Sequence, residues 1–133
     1  MALIAAYLSE KLDLDSGKTI RMCLLHDLAE SEIGDLTPEE KTSEKAHRMD
    51  EQKILKHLLG SLPRRESRSL MRDQRELFQG KSKEAKLVWQ IDKLEMGLTM
   101  KDYISAGGNK TKLKEFDPSS VLSDLFRQIL DEY

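Results

Sequence analysis

Apolar residues recur at intervals of three and four along almost the whole chain, and this spacing limits the fold to packed helices. The opening segment, residues 2–12, illustrates the pattern with Leu3, Ile4, Tyr7, Leu8 and Leu12. No segment alternates apolar and polar residues as a half-buried strand would, and no internal repeat is present. We therefore predict an all-α helical bundle of about five to seven helices.

Turn and cap residues predict where these helices begin and end. The second helix should run from about Gly17 to Ser31, with Gly34 as the break after it, because glycine commonly follows a helix. Pro38 follows a threonine that can cap a helix, so it predicts the start of the third helix. Gly80 should end the fourth helix, and Pro118 should start the last one.

The composition fits one compact domain spanning residues 1–133, with 38% hydrophobic and 35% charged residues. The net charge is −2 and both signs are interspersed, so we expect neither polymeric nucleic acid nor a membrane as a partner. No apolar run approaches the ~20 residues that cross a bilayer. The single cysteine, Cys23, excludes an internal disulfide and a thiolate zinc cluster. We expect a soluble, cytoplasmic protein.

The second helix carries an unusual polar stretch beside its predicted apolar stripe. That stripe consists of Ile20, Cys23, Leu24 and Leu28. His26 and Asp27 are neighbours in sequence, so their side chains leave the helix about 100° apart and can share an ion only over the groove between them. Glu30 lies four residues after His26 and returns to nearly the same face. Polar groups in such a setting need a metal ion or hydrogen bonds to offset their burial.

A second ionisable group lies on an apolar face farther along the chain. Asp92 shares the inward side of a predicted helix with Ala85, Val88, Trp89 and Met96. Taken singly, His26 and Asp92 each have an ordinary explanation, as a histidine bonded to backbone and as an acid paired with a base. Together they favour a metal site, whose imidazole and carboxylate ligands suit Mn²⁺, Co²⁺, Fe²⁺, Zn²⁺ or Mg²⁺. Such a site is more typical of hydrolysis than of a structural role.

For the remaining candidate residues, we predict ordinary roles at the surface or in the core rather than roles in a functional site. His47 and His57 lack an inward acidic partner at ligand spacing, so we expect them at the surface or its boundary. Cys23 lies on the apolar stripe and should fill space in the core. Trp89 and the methionines should likewise belong to the core. Most lysines on charged helices are solvated, although Lys41, Lys45 and Lys93 lie within plausible reach of a phosphate.

Several of these motifs together resemble the HD-domain metal-dependent phosphohydrolases, and within them the 5′-deoxynucleotidase branch. The resemblance covers nearly the whole chain and is far more specific than a His-Asp dipeptide. It rests on His26-Asp27, Glu30, Gly34-Asp35, the helix of residues 41–50, Glu84-Ala85 and residues 91–96.

The resemblance implies a role for each of five residues. His26, Asp27 and Asp92 match three of the family's four metal ligands. Glu30 matches a carboxylate that acts in acid-base chemistry. Asp35 matches one that contacts the sugar hydroxyl of a nucleoside monophosphate. The resemblance thus implies a divalent metal ion (Mn, Co, Mg, Fe or Zn) as cofactor.

One family ligand has no counterpart in this sequence. The family's first histidine lies just before a segment that resembles residues 1–5, and no residue precedes Met1 here. We expect either a native protein that extends further at its start or translation from an internal methionine. With three ligands the site can still hold an ion, with water or a substrate oxygen in the remaining position, but at lower affinity.

The leading functional hypothesis is hydrolysis of a (deoxy)nucleoside 5′-monophosphate to nucleoside and phosphate. A second hypothesis keeps the HD fold but makes the chain a non-catalytic module that binds a nucleotide or a protein through a degenerate site. A third assigns another phosphate ester, such as a diphosphorylated or cyclic nucleotide. We also expect a homodimer, with apolar residues of the helix at residues 70–78 and of the last helix covered by a second copy.

Overall fold

The structure is a computed structural model that describes residues 1–33 and 44–132. Within these ranges the chain forms seven α-helices and one short 3₁₀ helix, and no strand occurs there. The prediction of an all-α bundle is confirmed. The helices are α1 (Ala2–Lys11), α2 (Ser16–Ile33), α3 (Glu44–Gly60), α4 (Arg64–Gln79), α5 (Lys83–Ser105), α6 (Lys110–Leu113) and α7 (Asp124–Glu132), with the 3₁₀ helix at Lys114–Phe116.

Helix α2 lies at the centre of the bundle and contacts α1, α3, α4 and α5. Its buried side chains therefore point in more than one direction. The main core joins α1, α2, α4, α5 and α7, and its largest fully buried apolar side chains include Met22, Val88, Ile91 and Leu94. A smaller apolar cluster of Leu25, Leu55 and Leu59 packs α2 against α3. This central position is what brings polar groups of α2 close to several other helices.

The predicted apolar stripe of α2 is partly wrong. Cys23 is fully buried as predicted, but Leu24 is 56% exposed and Leu28 is 37% exposed. Met22 and Leu25 are buried instead. A single stripe is expected for a helix that packs on one side only. Because α2 is packed from several sides, its buried surface is wider and rotated relative to that stripe.

The boundaries of α4 and α5 agree with the sequence signals. Gly80 follows α4 with a φ of 62°, in the left-handed region that glycine adopts without strain. The Ser82 side chain accepts a hydrogen bond from the Ala85 amide and caps α5. Helix α2 continues to Ile33, two residues beyond its predicted end near Ser31. The predicted break at Gly34 and start of the third helix at residues 37–40 lie outside the described residues.

The last helix begins later than predicted. The sequence placed its start at Pro118, whereas α7 begins at Asp124. The Asp117 carboxylate accepts a hydrogen bond from the Ser119 amide, a local turn that competes with helix formation. The Ser123 amide donates to the side chain of Gln90 on α5 at 2.7 Å. These two bonds hold residues 117–123 as turns that connect to α5 before the helix starts.

Candidate metal centre

Helices α2 and α5 bring two of the predicted ligand residues into direct contact. His26 Nε2 lies 3.4 Å from Asp92 Oδ1, although 66 positions separate the residues in sequence. Both side chains are mostly shielded from solvent, with exposures of 11% and 23%. The contact joins an imidazole and a carboxylate at the point where the central helix meets the longest helix of the bundle.

The separation of these two atoms suits a shared cation. Two ligands that each lie about 2.1 Å from one tetrahedral ion are roughly 3.4 Å apart, which is the distance from Nε2 to Oδ1 here. A neutral imidazole and a carboxylate are also donors that divalent transition metals accept. The pair therefore fits two positions of a metal coordination shell with little rearrangement.

Asp92 is held in its charged form. Burial works to raise the pKa of its carboxyl group, but the hydrogen bond with His26 and the positive charge of Lys93 outweigh it, and the net pKa is lowered. Lys93 Nζ lies 3.0 Å from Asp92 Oδ2. One carboxylate oxygen thus pairs with the lysine while the other faces His26. At neutral pH Asp92 is an anion already oriented toward the imidazole.

Asp27 is close enough to this pair for the charges of His26 and Asp92 to affect its pKa. The residue is exposed overall, yet the surrounding protein removes part of the hydration of its carboxyl group and raises its pKa. The charges of Asp92 and Glu95 act in the same direction, while His26 opposes them. Among the side chains that the structure describes, no three of the types that bind metals lie close enough to hold an ion together. The structure therefore assembles two of the three predicted ligands.

The two residues with predicted roles in catalysis and substrate binding cannot be examined in the same way. Glu30 belongs to α2, one turn after His26, but its side chain is outside what the structure describes. Asp35 falls in residues 34–43, which also lie outside it. Their roles remain predictions.

Two residues near the pair were missed by the sequence analysis as part of a site. The rings of Trp89 and His26 meet in a T-shaped contact with centroids 5.4 Å apart and an interplanar angle of 66°. Glu95 Oε1 accepts a hydrogen bond from the amino group of Met1 at 3.1 Å. Trp89 precedes Asp92 by three residues and Glu95 follows it by three, so helical spacing alone could have indicated a shared face.

Cys23 and His57, two of the residues with predicted ordinary roles, behave as predicted. Cys23 is fully buried, and burial raises the pKa of its thiol from 9.0 to about 11. A thiol with that pKa holds very little thiolate at neutral pH and is a poor nucleophile. His57 is exposed on α3. The side chain of His47 is outside the described part of the chain.

A second charged cluster, separate from the His26 and Asp92 pair, connects α2 to α4. Asp73 is completely buried, and its Oδ2 accepts a hydrogen bond from Arg21 Nε at 2.8 Å. Arg72 Nη2 lies 3.5 Å from the other carboxylate oxygen. Two guanidinium groups therefore share one buried carboxylate. No pattern in the sequence had indicated a site at any of these residues.

Comparison with known proteins defines the class. A family model described as "HD domain" matches residues 1–129, so the chain belongs to the HD domain family. HD domains are generally metal-dependent. The resemblance that the sequence analysis drew from His26, Asp27 and their neighbours is confirmed.

Comparison with relatives of known activity is more specific than the match to the family. The chain is 34% identical over 121 residues to the 5′-deoxynucleotidase YGK1 of Saccharomyces cerevisiae, covering 87% of this chain and 55% of that protein. It is 33% identical over 112 residues to the 5′-deoxynucleotidase HDDC2 of Dictyostelium discoideum, covering 81% and 58%. For HDDC2 of Bos taurus the identity is 27% over 118 residues, covering 89% and 58%.

The chain thus spans a little over half the length of the curated relatives it matches. No solved structure gives a significant match to it. Among the described residues, no helix has both the length and the apolar character needed to cross a membrane.

Proposed function

We propose that this chain is the metal-dependent phosphohydrolase domain of a 5′-nucleotidase that converts (deoxy)nucleoside 5′-monophosphates to nucleoside and phosphate. The observation that carries the proposal is the contact between His26 Nε2 and Asp92 Oδ1 at 3.4 Å. It occurs in an HD domain whose relatives are 5′-deoxynucleotidases. The proposal agrees with the leading hypothesis from the sequence.

We assign the divalent cation, which is Mn, Co, Mg, Fe or Zn, to His26, Asp27 and Asp92. The charges around the pair support this assignment, because the negative charges of Asp92 and Glu95 both act on Asp27, as does the charge of His26, so these groups share one local field. When bound, the ion would supply Lewis acidity toward the phosphoryl group and lower the pKa of attacking water.

The protein's own groups would handle binding and protons. A water oxygen forms a bond to phosphorus while the bond from phosphorus to the sugar oxygen breaks, and the sugar oxygen takes up a proton. Glu30 would accept the proton of the water and return it to the leaving oxygen. Asp35 would bind a sugar hydroxyl. Lys93 holds the second oxygen of Asp92 at 3.0 Å and so keeps the first oxygen toward His26.

The first prediction tests the pair directly. Replacing His26 or Asp92 by alanine should abolish both Co²⁺ binding and phosphate release, because each variant leaves at most two of the assigned ligands. Binding is measured by calorimetry, and phosphate release is measured on a panel of nucleoside 5′-monophosphates with Mn²⁺ or Co²⁺. The panel is run on this chain and on a chain that carries the upstream segment with the family's first histidine.

His57→Ala is the matched control, since His57 is an exposed histidine on α3. It should bind Co²⁺ and release phosphate as the unchanged chain does. Undiminished turnover by His26→Ala or Asp92→Ala would contradict the assignment.

The alternative of a non-catalytic binding module is favoured by one observation. Only two of the three assigned ligands are in contact, and no group of three metal-binding side chains is assembled among the described residues. A module of this kind would bind a nucleoside monophosphate in the calorimeter yet release no phosphate with either chain. Extending the panel to cyclic and diphosphorylated nucleotides separates the third hypothesis, which keeps the enzyme and changes the ester.

We also propose a cytoplasmic homodimer, through a surface that keeps the predicted last helix and uses α1 in place of α4. Leu77 of α4 is buried within this chain. The large apolar residues that are exposed include Leu3 at 85% and Tyr7 at 65% on α1, with Leu24 of α2 and Leu125 of α7. Light scattering should give the mass of two chains, and Leu3→Lys should shift it toward one. A monomer at all concentrations would overturn the dimer.

A further inference from the structure

The tryptophan beside the candidate centre contacts His26 from the same helix that carries Asp92. Trp89 is the single tryptophan of the chain, and it precedes Asp92 by three residues on α5. Residues three apart on a helix lie on the same face, so one face of α5 presents both an indole and a carboxylate to the same imidazole. The indole meets the ring of His26 at 5.4 Å, and the carboxylate meets its Nε2 at 3.4 Å.

The indole is itself held in place. Trp89 Nε1 donates a hydrogen bond to the carbonyl oxygen of Leu77 at 3.2 Å. That carbonyl belongs to the last turn of α4, where helical carbonyls lack partners in their own helix, and the Gly80 amide also donates to it. The ring also packs against the main apolar core. Rotation of the indole away from His26 would break this bond and expose apolar surface.

We propose that Trp89 is a positioning residue that keeps the His26 imidazole turned so that Nε2 faces Asp92. The proposal rests on the proposed function, since it assigns the orientation to the metal centre. An imidazole has two side-chain torsions, and the contact with Asp92 is long for a hydrogen bond at 3.4 Å. The T-shaped contact with a ring that is anchored to α4 adds a constraint on the orientation of the imidazole.

The proposal distinguishes the loss of the aromatic ring from the loss of its anchor. Trp89→Leu removes the ring, so Co²⁺ affinity should fall by about three- to tenfold, the factor that one aromatic pair supports. Trp89→Phe keeps a ring but cannot donate to Leu77, so it should recover only part of that affinity. The KM for nucleotide should change little and kcat should fall, because the indole is assigned no contact with substrate.

Two measurements report on the site without turnover. Binding of Co²⁺ should quench the fluorescence of Trp89 with the same midpoint that calorimetry gives. In metal-free protein, the ring proton resonances of His26 should be single and well dispersed, and in Trp89→Leu they should shift and broaden as the ring samples several orientations. His26→Ala identifies these resonances among those of the three histidines.

Phe126→Leu is the control for general loosening of the core, because Phe126 is a buried aromatic of the same core carried by α7. It should leave Co²⁺ affinity and the His26 resonances unchanged. If Trp89→Leu keeps full affinity and sharp resonances while His26→Ala loses Co²⁺, the positioning role is wrong and the proposed function stands. If His26→Ala keeps Co²⁺, the proposed function is wrong, and the metal-free spectra alone decide whether Trp89 orients the ring.

Discussion

Helix α2 carries two charged clusters that face different neighbours, and they differ in how completely their charges are balanced. Toward α4, the guanidinium groups of Arg21 and Arg72 both pair with the buried carboxylate of Asp73. Toward α5, Asp92 meets a lysine and an imidazole, and the imidazole carries charge only when it is protonated. The α5 side also adds the negative charges of Asp27 and Glu95.

This comparison teaches that a shielded carboxylate does not by itself mark a functional site. A buried acid whose neighbours supply enough positive charge is a structural pair, and removing it leaves the fold with unpaired groups. An acid whose acidic neighbours outnumber the cations around it, as Asp92, Asp27 and Glu95 outnumber Lys93 and the Met1 amino group, has negative charge in excess, and a further cation can balance it. The Asp73 cluster is of the first kind, and the His26 and Asp92 pair is of the second.

Exchanging each acid for its amide should produce opposite results. Asp73→Asn keeps the shape but removes the charge that two guanidinium groups share, so the free energy of unfolding without metal should fall by about 2–3 kcal/mol. Co²⁺ should still stabilise that variant. Asp92→Asn should change the metal-free value by less than about 1 kcal/mol, because it also relieves repulsion from Asp27, and it should abolish stabilisation by Co²⁺.

Urea unfolding with and without Co²⁺ measures both quantities on the same samples. Glu10→Gln is a suitable control, because Glu10 is an exposed acid on α1 and should affect neither value. The comparison breaks down if Asp73→Asn proves as stable as the unchanged chain, or if Asp92→Asn retains its response to the metal.

The contrast between the clusters also explains what the sequence could predict. His26 and Asp92 each lie on a helix face that the sequence pattern makes otherwise apolar. They could therefore be recognised as exceptions to that pattern. Asp73 and Gln74 did not stand out, because α4 is so rich in charge that the sequence indicated a surface helix. Both are fully buried, since α2, α3 and α5 all pack on α4. The burial of these α4 residues is decided by packing against helices from distant parts of the chain, and the local spacing of residues in α4 does not predict it.

The same limit applies to the details of the site. The fold class followed from periodicity alone, but the exposure of Leu24 depends on which sides of α2 are covered. The delayed start of α7 depends on the bond between Ser123 and Gln90, two residues far apart in sequence. The roles of Glu30 and Asp35 came from the family resemblance, because their spacing carries no signal of proton transfer or sugar binding.

A third charged group on α2 gives the smallest predicted effect and sharpens the comparison. Lys18 pairs with Glu76 of α4 and lies 3.6 Å from Glu84 of α5, so one cation joins three helices at the bundle surface. The hydrogen bond with Lys18 is the main reason that the pKa of Glu76 is lowered, and it likewise raises the pKa of Lys18. Because these groups are partly exposed, Lys18→Met should cost only about 0.5–1 kcal/mol at pH 7.

The pH dependence of that loss identifies its cause. A carboxyl group with a lowered pKa contributes its stability above its ordinary pKa of 4.5 and loses it as the pH falls through the lower folded value. The lysine contributes below its ordinary pKa of 10.5 and loses its part only at higher pH. The difference between Lys18→Met and the unchanged chain should therefore be constant from pH 6 to pH 9 and shrink below about pH 4.5. Lys83→Met, at an exposed position of α5, should show no such change, and a pH-independent deficit in Lys18→Met would mean that lost packing of the lysine stem, rather than charge, holds the three helices together.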